Sequence, residues 1–270
     1  MTSTLRVTLL YSLVPVVFTI IGAAAGAYWP SLSRLRGYVL HLAAGVVFSV
    51  VAVELLPEIQ RRALVNDVII GFALGIGTML AVDKLLDRIR GGDDDDANHD
   101  NAAEVQGARA SAGPLTRGVV LARRGAVPIS LVIAVAIDFL LDGLLLGVGF
   151  AAGARIGILL ALAEAAEQLS VGLALAGELT RAGVARARVL LTVSALGMLV
   201  FVTAVLGGTV LRGLTGGGME IILSFGVAAL LYLVVEELLR EAHEEKETAL
   251  GTAMFFVGFL TFLIIGMTLD

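Results

Sequence analysis

Ala136-Ile137-Asp138-Phe139-Leu140-Leu141-Asp142-Gly143 sits inside an apolar run from 126 to 152. Ala163-Glu164-Ala165-Ala166-Glu167-Gln168 sits inside the next such run, from 155 to 179. Each run exceeds the roughly 20 residues that a helix needs to cross a bilayer. An ionised side chain at the bilayer centre costs about 2.5–3.5 kcal/mol even on the lenient insertion scale. Two adjacent membrane helices that both carry acids therefore set the fold class and the place to look for function.

Six further apolar segments flank this pair, at 6–28, 37–57, 65–86, 187–213, 218–240 and 248–269. Turn or charge signals separate them, among them Pro30-Ser31, Arg61-Arg62, Gly153 to Arg155, the arginines between 181 and 188, and Gly216 to Gly218. The expectation is an all-α, polytopic bundle of eight transmembrane helices. Composition agrees: 58% of residues are hydrophobic and 16% charged, with a mean hydropathy of +0.94. An ordinary globular domain has about 45–50% and about 25%.

Residues 1–90 hold three helices and 123–270 hold five. Between them, 91–122 is the one long polar stretch, with Asp93 to Asp96, His99 and Asp100 among Gly, Ala and Asn. It reads as a disordered acidic cytoplasmic linker, or as a tract that captures cations weakly. Glu54-Leu55-Leu56-Pro57-Glu58 ends the second segment and Glu237-Leu238-Leu239-Arg240-Glu241 ends the seventh. That similarity predicts a 3+2+3 arrangement in which the first three helices repeat, inverted, as the last three.

The first segment has the charge and small residues of a signal peptide, namely Arg6 and then Ala23, Ala25 and Ala27. It is about twice as long as an h-region and ends at Tyr28-Trp29, as an anchored helix does, so a retained first helix is expected. Of 19 Lys and Arg, all but Arg6, Arg61, Arg62, Arg155 and Arg212 fall on the side of the loops after the first, third, fifth and seventh segments. The positive-inside rule then places both termini outside the cytoplasm, in an integral, plasma-membrane protein.

A net charge of −5 without a dense basic patch gives no nucleic-acid partner. The absence of cysteine removes disulfides and thiolate ligands, so any metal must be held by oxygen or imidazole. Nothing resembles a nucleotide-binding Gly-rich loop.

Asp138 and Asp142 are four apart, Glu164 and Glu167 three, and Glu164 and Gln168 four, so each helix presents its polar groups on one face. Only a few residues around Gly153 join the two helices, which makes them antiparallel neighbours and lets the faces meet near mid-membrane. No Lys or Arg lies in the middle of an apolar segment, so these acids must be protonated, face water or bind a mobile cation. The bland alternative is interhelical hydrogen bonding alone.

Other ionisable residues read less sharply. Glu54 and Glu58 at the end of the second segment, and Glu236 and Glu237 at the end of the seventh, are either interfacial charges or vestibule ligands on a pathway. Asp83 and Asp87, beside Lys84 and Arg88, are interfacial or guide ions. His41 starts a helix, as an interfacial hydrogen-bonder or a ligand. Gly22-Gly26, Gly71-Gly75 and Gly143-Gly147 have the spacing of close helix approach.

These motifs make the chain resemble the ZIP family of divalent-metal transporters, over essentially its whole length. The family carries a His-Asn-x-x-Asp/Glu-Gly pattern in its fourth helix; here Asp138 and Phe139 replace His-Asn, while Asp142-Gly143 match. In the fifth, Ala163 replaces the first ligand and Ala166 a proline, while Glu164 and Glu167 match. Glu54-Leu55-Leu56-Pro57-Glu58 looks like the family's His-Leu-Leu-Pro-Glu with its histidine changed.

The resemblance implies secondary transport of a divalent cation (zinc, manganese, iron or magnesium) through one or two metal positions between the fourth and fifth helices. The ligands expected are Asp138, Asp142, Glu164 and Glu167, with Gln168 as a supporting dipole. Loss of both histidines favours harder ions than Zn²⁺, and Phe139 removes a ligand for a second metal. The metal is substrate; no prosthetic group and no enzymatic activity are expected. The lipid bilayer and metal ions are the expected partners, with a homodimer left open. The alternative function is a proton-coupled carrier or exporter of a non-metal solute; a carboxylate-based intramembrane hydrolase ranks last, for want of a nucleophile motif.

Overall fold

The computed structural model describes residues 3–29, 36–62, 64–92, 127–240 and 249–268. All regular structure among them is helical, and eight helices are long and apolar enough to cross a membrane. They are α1 (Arg6–Tyr28), α2 (Arg36–Arg61), α3 (Val65–Arg88), α4 (Ile129–Ala152), α5 (Ala154–Arg181), α6 (Arg186–Gly213), α7 (Gly217–Glu236) and α8 (Ala249–Thr268). The expected segments match these spans to within a few residues. The acidic tract from Asp93 onward lies outside the described residues, although the helix of α3 continues to Gly92, two residues into the expected linker.

Short connections have local reasons. Gly153 alone joins α4 to α5. Gly183, at φ 83°, ends α5 in a left-handed residue that only glycine adopts without strain; Val184 N–H then bonds Leu179 O, and Gly183 N–H bonds Thr180 O.

The helices sort into two groups by packing. One is α1, α4, α5 and α6, with α1 against α5, α4 against α6, and α1 against α6. The other is α2, α3, α7 and α8, with α3 against α7 and α2 against α8. Helix α2 lies on α5 and α7 on α4, joining the groups. Exchanging 1 with 6, 2 with 7, 3 with 8 and 4 with 5 carries this set of extensive contacts onto itself, the pattern of the expected inverted repeat.

The repeat extends to a local irregularity. Helix α2 widens into a π-turn over Val51–Leu55, and the end of α7 runs into another over Leu233–Leu239, three residues past the span. These are the similar Glu-Leu-Leu stretches of the sequence. Pro57 follows the first and no proline follows the second, so a proline is not common to the two.

Within the apolar window of each span, α5 is 72% buried and α3 and α8 are 17% buried. Helix α5 is thus the centre of the bundle and α3 and α8 its lipid-facing margin. Glycine makes the contacts close. A Cβ at Gly22 or Gly26 would strike the carbonyls of Leu169 and Leu173, and one at Gly172 the carbonyl of Thr19, so α1 and α5 touch backbone to backbone.

Candidate functional site

The α4–α5 hairpin sets the depth of the site. Asp142 and Glu164 are each 11 residues from Gly153, about 16 Å at the helical rise of about 1.5 Å per residue. That is half of a hydrocarbon core of about 30 Å. Asp142, Glu164, Glu167 and Gln168 are all buried, at 0–3% exposure, and Asp138 is half-buried one turn along α4.

Helix packing brings a third helix to the site. Close contact of α1 with α5 places Thr19 beside Gln168, and the Thr19 hydroxyl lies 2.9 Å from Gln168 Oε1. Gln168 Nε2 in turn donates to Asp142 Oδ2 at 2.8 Å. A buried polar chain thus crosses from α1 through α5 to α4 at mid-span. Gly143, next to Asp142, lets α6 approach: a Cβ there would strike Val200 O and the Thr203 hydroxyl.

Glu164 stands apart from this chain. It is 3% exposed, and neither Oε1 nor Oε2 has a hydrogen-bond partner. A buried carboxyl left without hydrogen bonds costs about 1–3 kcal/mol or more, and it sits one helical turn from both Glu167 and Gln168. Among the described residues, no three Asp, Glu or His side chains gather as a group able to hold a metal ion in this conformation. What the fold does assemble is the Thr19–Gln168–Asp142 chain beside the bare Glu164 carboxyl.

The flanking residues take separate places. Glu54, in the π-turn of α2, accepts from Arg155 Nη2 at 3.0 Å, and the same nitrogen donates to Gly266 O at 2.9 Å. This trio, with Glu58, Pro57 and Arg61, lines a cavity of about 590 Å³ at one end of the bundle. A second cavity of about 250 Å³ shares Glu58 and is lined by Glu220 and the α6–α7 connection. Glu54 and Glu58 therefore face cavities.

Asp83 of α3 accepts a 2.6 Å hydrogen bond from the Tyr232 hydroxyl of α7. Glu236 is exposed, 4.0 Å from Arg240 on its own helix, and the Glu237 side chain lies outside the described set. His41 is buried with Nδ1 2.8 Å from Gly37 O, the local bond of a helix-start histidine.

Sequence reasoning missed three participants. Thr19 carries no signal beyond being a polar residue midway along an apolar segment. Arg155 reads as a turn charge, yet it reaches both Glu54 and α8. Glu178 is buried and paired with Arg181 at 2.6 Å at the far end of α5. No protein-family model matches this chain, and no curated protein shows significant similarity to it.

Proposed function

We propose that this membrane protein is a secondary transporter of divalent cations of the ZIP type, with the passage point between α4 and α5. The observation that carries the reading is Glu164: a buried carboxyl at mid-membrane depth with two unpartnered oxygens, beside Asp142, Glu167 and Gln168. A mobile cation supplies the missing partner, whereas a structural carboxyl has no reason to be left bare. Asp142, Glu164 and Glu167 are also the residues that match the ZIP motifs, and Asp138 stands at the family's histidine.

The donors near the site are carboxylate, amide and hydroxyl oxygens, which suit Mn²⁺, Fe²⁺ or Mg²⁺ better than Zn²⁺. The cavity around Glu54 and Glu58 supports an entrance at the end of α2. The excess of Lys and Arg at the opposite end makes that entrance extracellular, with both termini outside and the plasma membrane as the setting. Two packed helix groups joined mainly by α2 on α5 and α7 on α4 suit alternating access by movement of one group against the other.

The test is flux of Mn²⁺, Fe²⁺, Zn²⁺ and Mg²⁺ into liposomes containing the purified protein, compared with Asp142→Ala and Glu167→Ala. At least tenfold slower flux is expected in both variants, and unchanged flux in both overturns the assignment. The same bare carboxyl favours one second reading, a proton-coupled carrier of another solute; flux that requires a pH gradient and ignores every metal identifies it.

A further inference from the structure

We propose that the Gln168 side-chain amide is a two-position element of the cation site: in one position its amino group faces Asp142, and in the other it turns over to present its oxygen to a bound cation, with Thr19 completing either position. The inference rests on the metal-transport reading and goes beyond it.

Three groups carry it. Gln168 is fully buried, and its Nε2 donates to Asp142 Oδ2 at 2.8 Å. In this orientation an N–H dipole occupies a carboxylate lone pair that a cation would use. The amide is thus an internal stand-in for positive charge. It is also an obstacle, because a cation arriving at Asp142 would meet an amino group.

A rotation of the amide by half a turn removes the obstacle and offers a neutral, hard oxygen ligand. In a buried site such a rotation is penalised if it strands a polar group. Thr19 removes that penalty. Its Oγ1 lies 2.9 Å from Gln168 Oε1 and 2.9 Å from Pro15 O, yet a hydroxyl has a single hydrogen to give. With the hydrogen on the Gln168 side, Thr19 donates to Oε1, as the observed orientation of the amide requires. With the hydrogen on Pro15 O, the Thr19 lone pairs accept from Nε2, as the rotated amide requires. Thr19 is therefore a positioning residue that serves both orientations, and the choice between them falls to whatever stands at Asp142.

Infrared difference spectra of the purified full-length protein, labelled with side-chain ¹³C=O glutamine, read the amide directly. The chain has three glutamines, Gln60, Gln106 and Gln168, and the Gln168→Met variant identifies the band in question. Mn²⁺, Fe²⁺, Zn²⁺ and Mg²⁺ are added one at a time, with melting temperature followed in parallel. The expected result is a Gln168 carbonyl band that moves to lower wavenumber with any ion that raises the melting temperature.

A band unmoved by an ion that does raise the melting temperature overturns the two-position amide and leaves the transport reading standing. A melting temperature raised by no ion overturns both. Thr19→Val supplies the second check: it strands one amide group in each position, so it lowers the melting temperature with and without the bound ion, and Thr19→Ser, which keeps the hydroxyl, restores it. A Thr19→Val protein that melts as wild type does in both states shows that Thr19 completes neither position and overturns the proposal.

Discussion

Arg155 in the first turn of α5 donates to Glu54 in the π-turn of α2 at 3.0 Å, and so ties the central helix of one group to the other group at the mouth of the larger cavity. The same nitrogen holds Gly266 O of α8 at 2.9 Å, so one guanidinium joins three helices. The side chains are 38% and 12% exposed, and solvent screens the pair in part. Arg155→Ala is expected to cost about 1 kcal/mol, less than the about 1.5–3 kcal/mol of a fully buried charged hydrogen bond. The Glu54→Arg, Arg155→Glu exchange recovers part of it, because the Gly266 contact is not restored. Thermal unfolding at low and high salt checks this, and equal losses for the single and exchanged variants would show that the ion pair contributes nothing.

Close helix approach makes a position-specific prediction for glycine. A Cβ at Gly45 would meet Phe255 O and one at Gly258 would meet Leu42 O, both backbone atoms that cannot step aside, whereas Gly77 has nothing within 4 Å. Gly45→Ala and Gly258→Ala are each expected to destabilise by about 1–3 kcal/mol through overpacking of α2 against α8. Gly77→Ala, on an exposed helix face, is expected to stabilise by up to about 1 kcal/mol. Denaturant unfolding in detergent separates the two classes, and a loss at Gly77 equal to that at Gly45 would contradict the packing described.

The span boundaries were legible because hydropathy and helix length are properties of a single segment: all eight appear within a few residues of where the apolar runs place them. The partners of each segment were not, because periodicity names a face and not what it meets. Gly22 and Gly26 announced close approach, and only the fold shows that Leu169 and Leu173 of α5 receive them. Thr19 was invisible for a chemical reason. Threonine in an apolar helix usually returns its hydroxyl to its own backbone, as Thr203, Thr209 and Thr261 do here, so nothing in the sequence set apart the one that also reaches Gln168. The inward acids were legible from their cost in lipid, while their division into a bonded Asp142 and a bare Glu164 depends on side-chain geometry.

Tyr232 gives a measure of the second helix group that is independent of the candidate site. Its hydroxyl donates to Asp83 at 2.6 Å and joins α7, just before its π-turn, to α3. A short bond to a carboxylate is of the stronger kind, so Tyr232→Phe is expected to lower stability by about 1.5–3 kcal/mol. Asp83→Asn keeps an oxygen that accepts and is expected to lose about half as much. Unfolding midpoints of the two variants give the comparison; a Tyr232→Phe protein as stable as wild type would show that this bond is not formed in the membrane-embedded chain.

Glu164 separates stability from function most cleanly, because the two requirements pull it in opposite directions. Its carboxyl is buried with neither oxygen hydrogen-bonded, so the folded chain by itself bears the desolvation of that group with no return. Glu164→Met keeps a long unbranched side chain in the same space and removes the stranded atoms. The folded state is then expected to gain about 1–3 kcal/mol, the cost of a buried unsatisfied polar group. On the transport reading the same change deletes a ligand, so the variant is expected to lose the cation-induced rise in melting temperature, which measures binding to the folded state. A purely structural carboxyl predicts the reverse of the first result, because removing a useful group lowers stability. Paired melting curves of wild type and Glu164→Met, each with and without the cation that wild type binds, decide between them: a variant that melts lower than wild type when empty would remove the observation on which the transport reading stands.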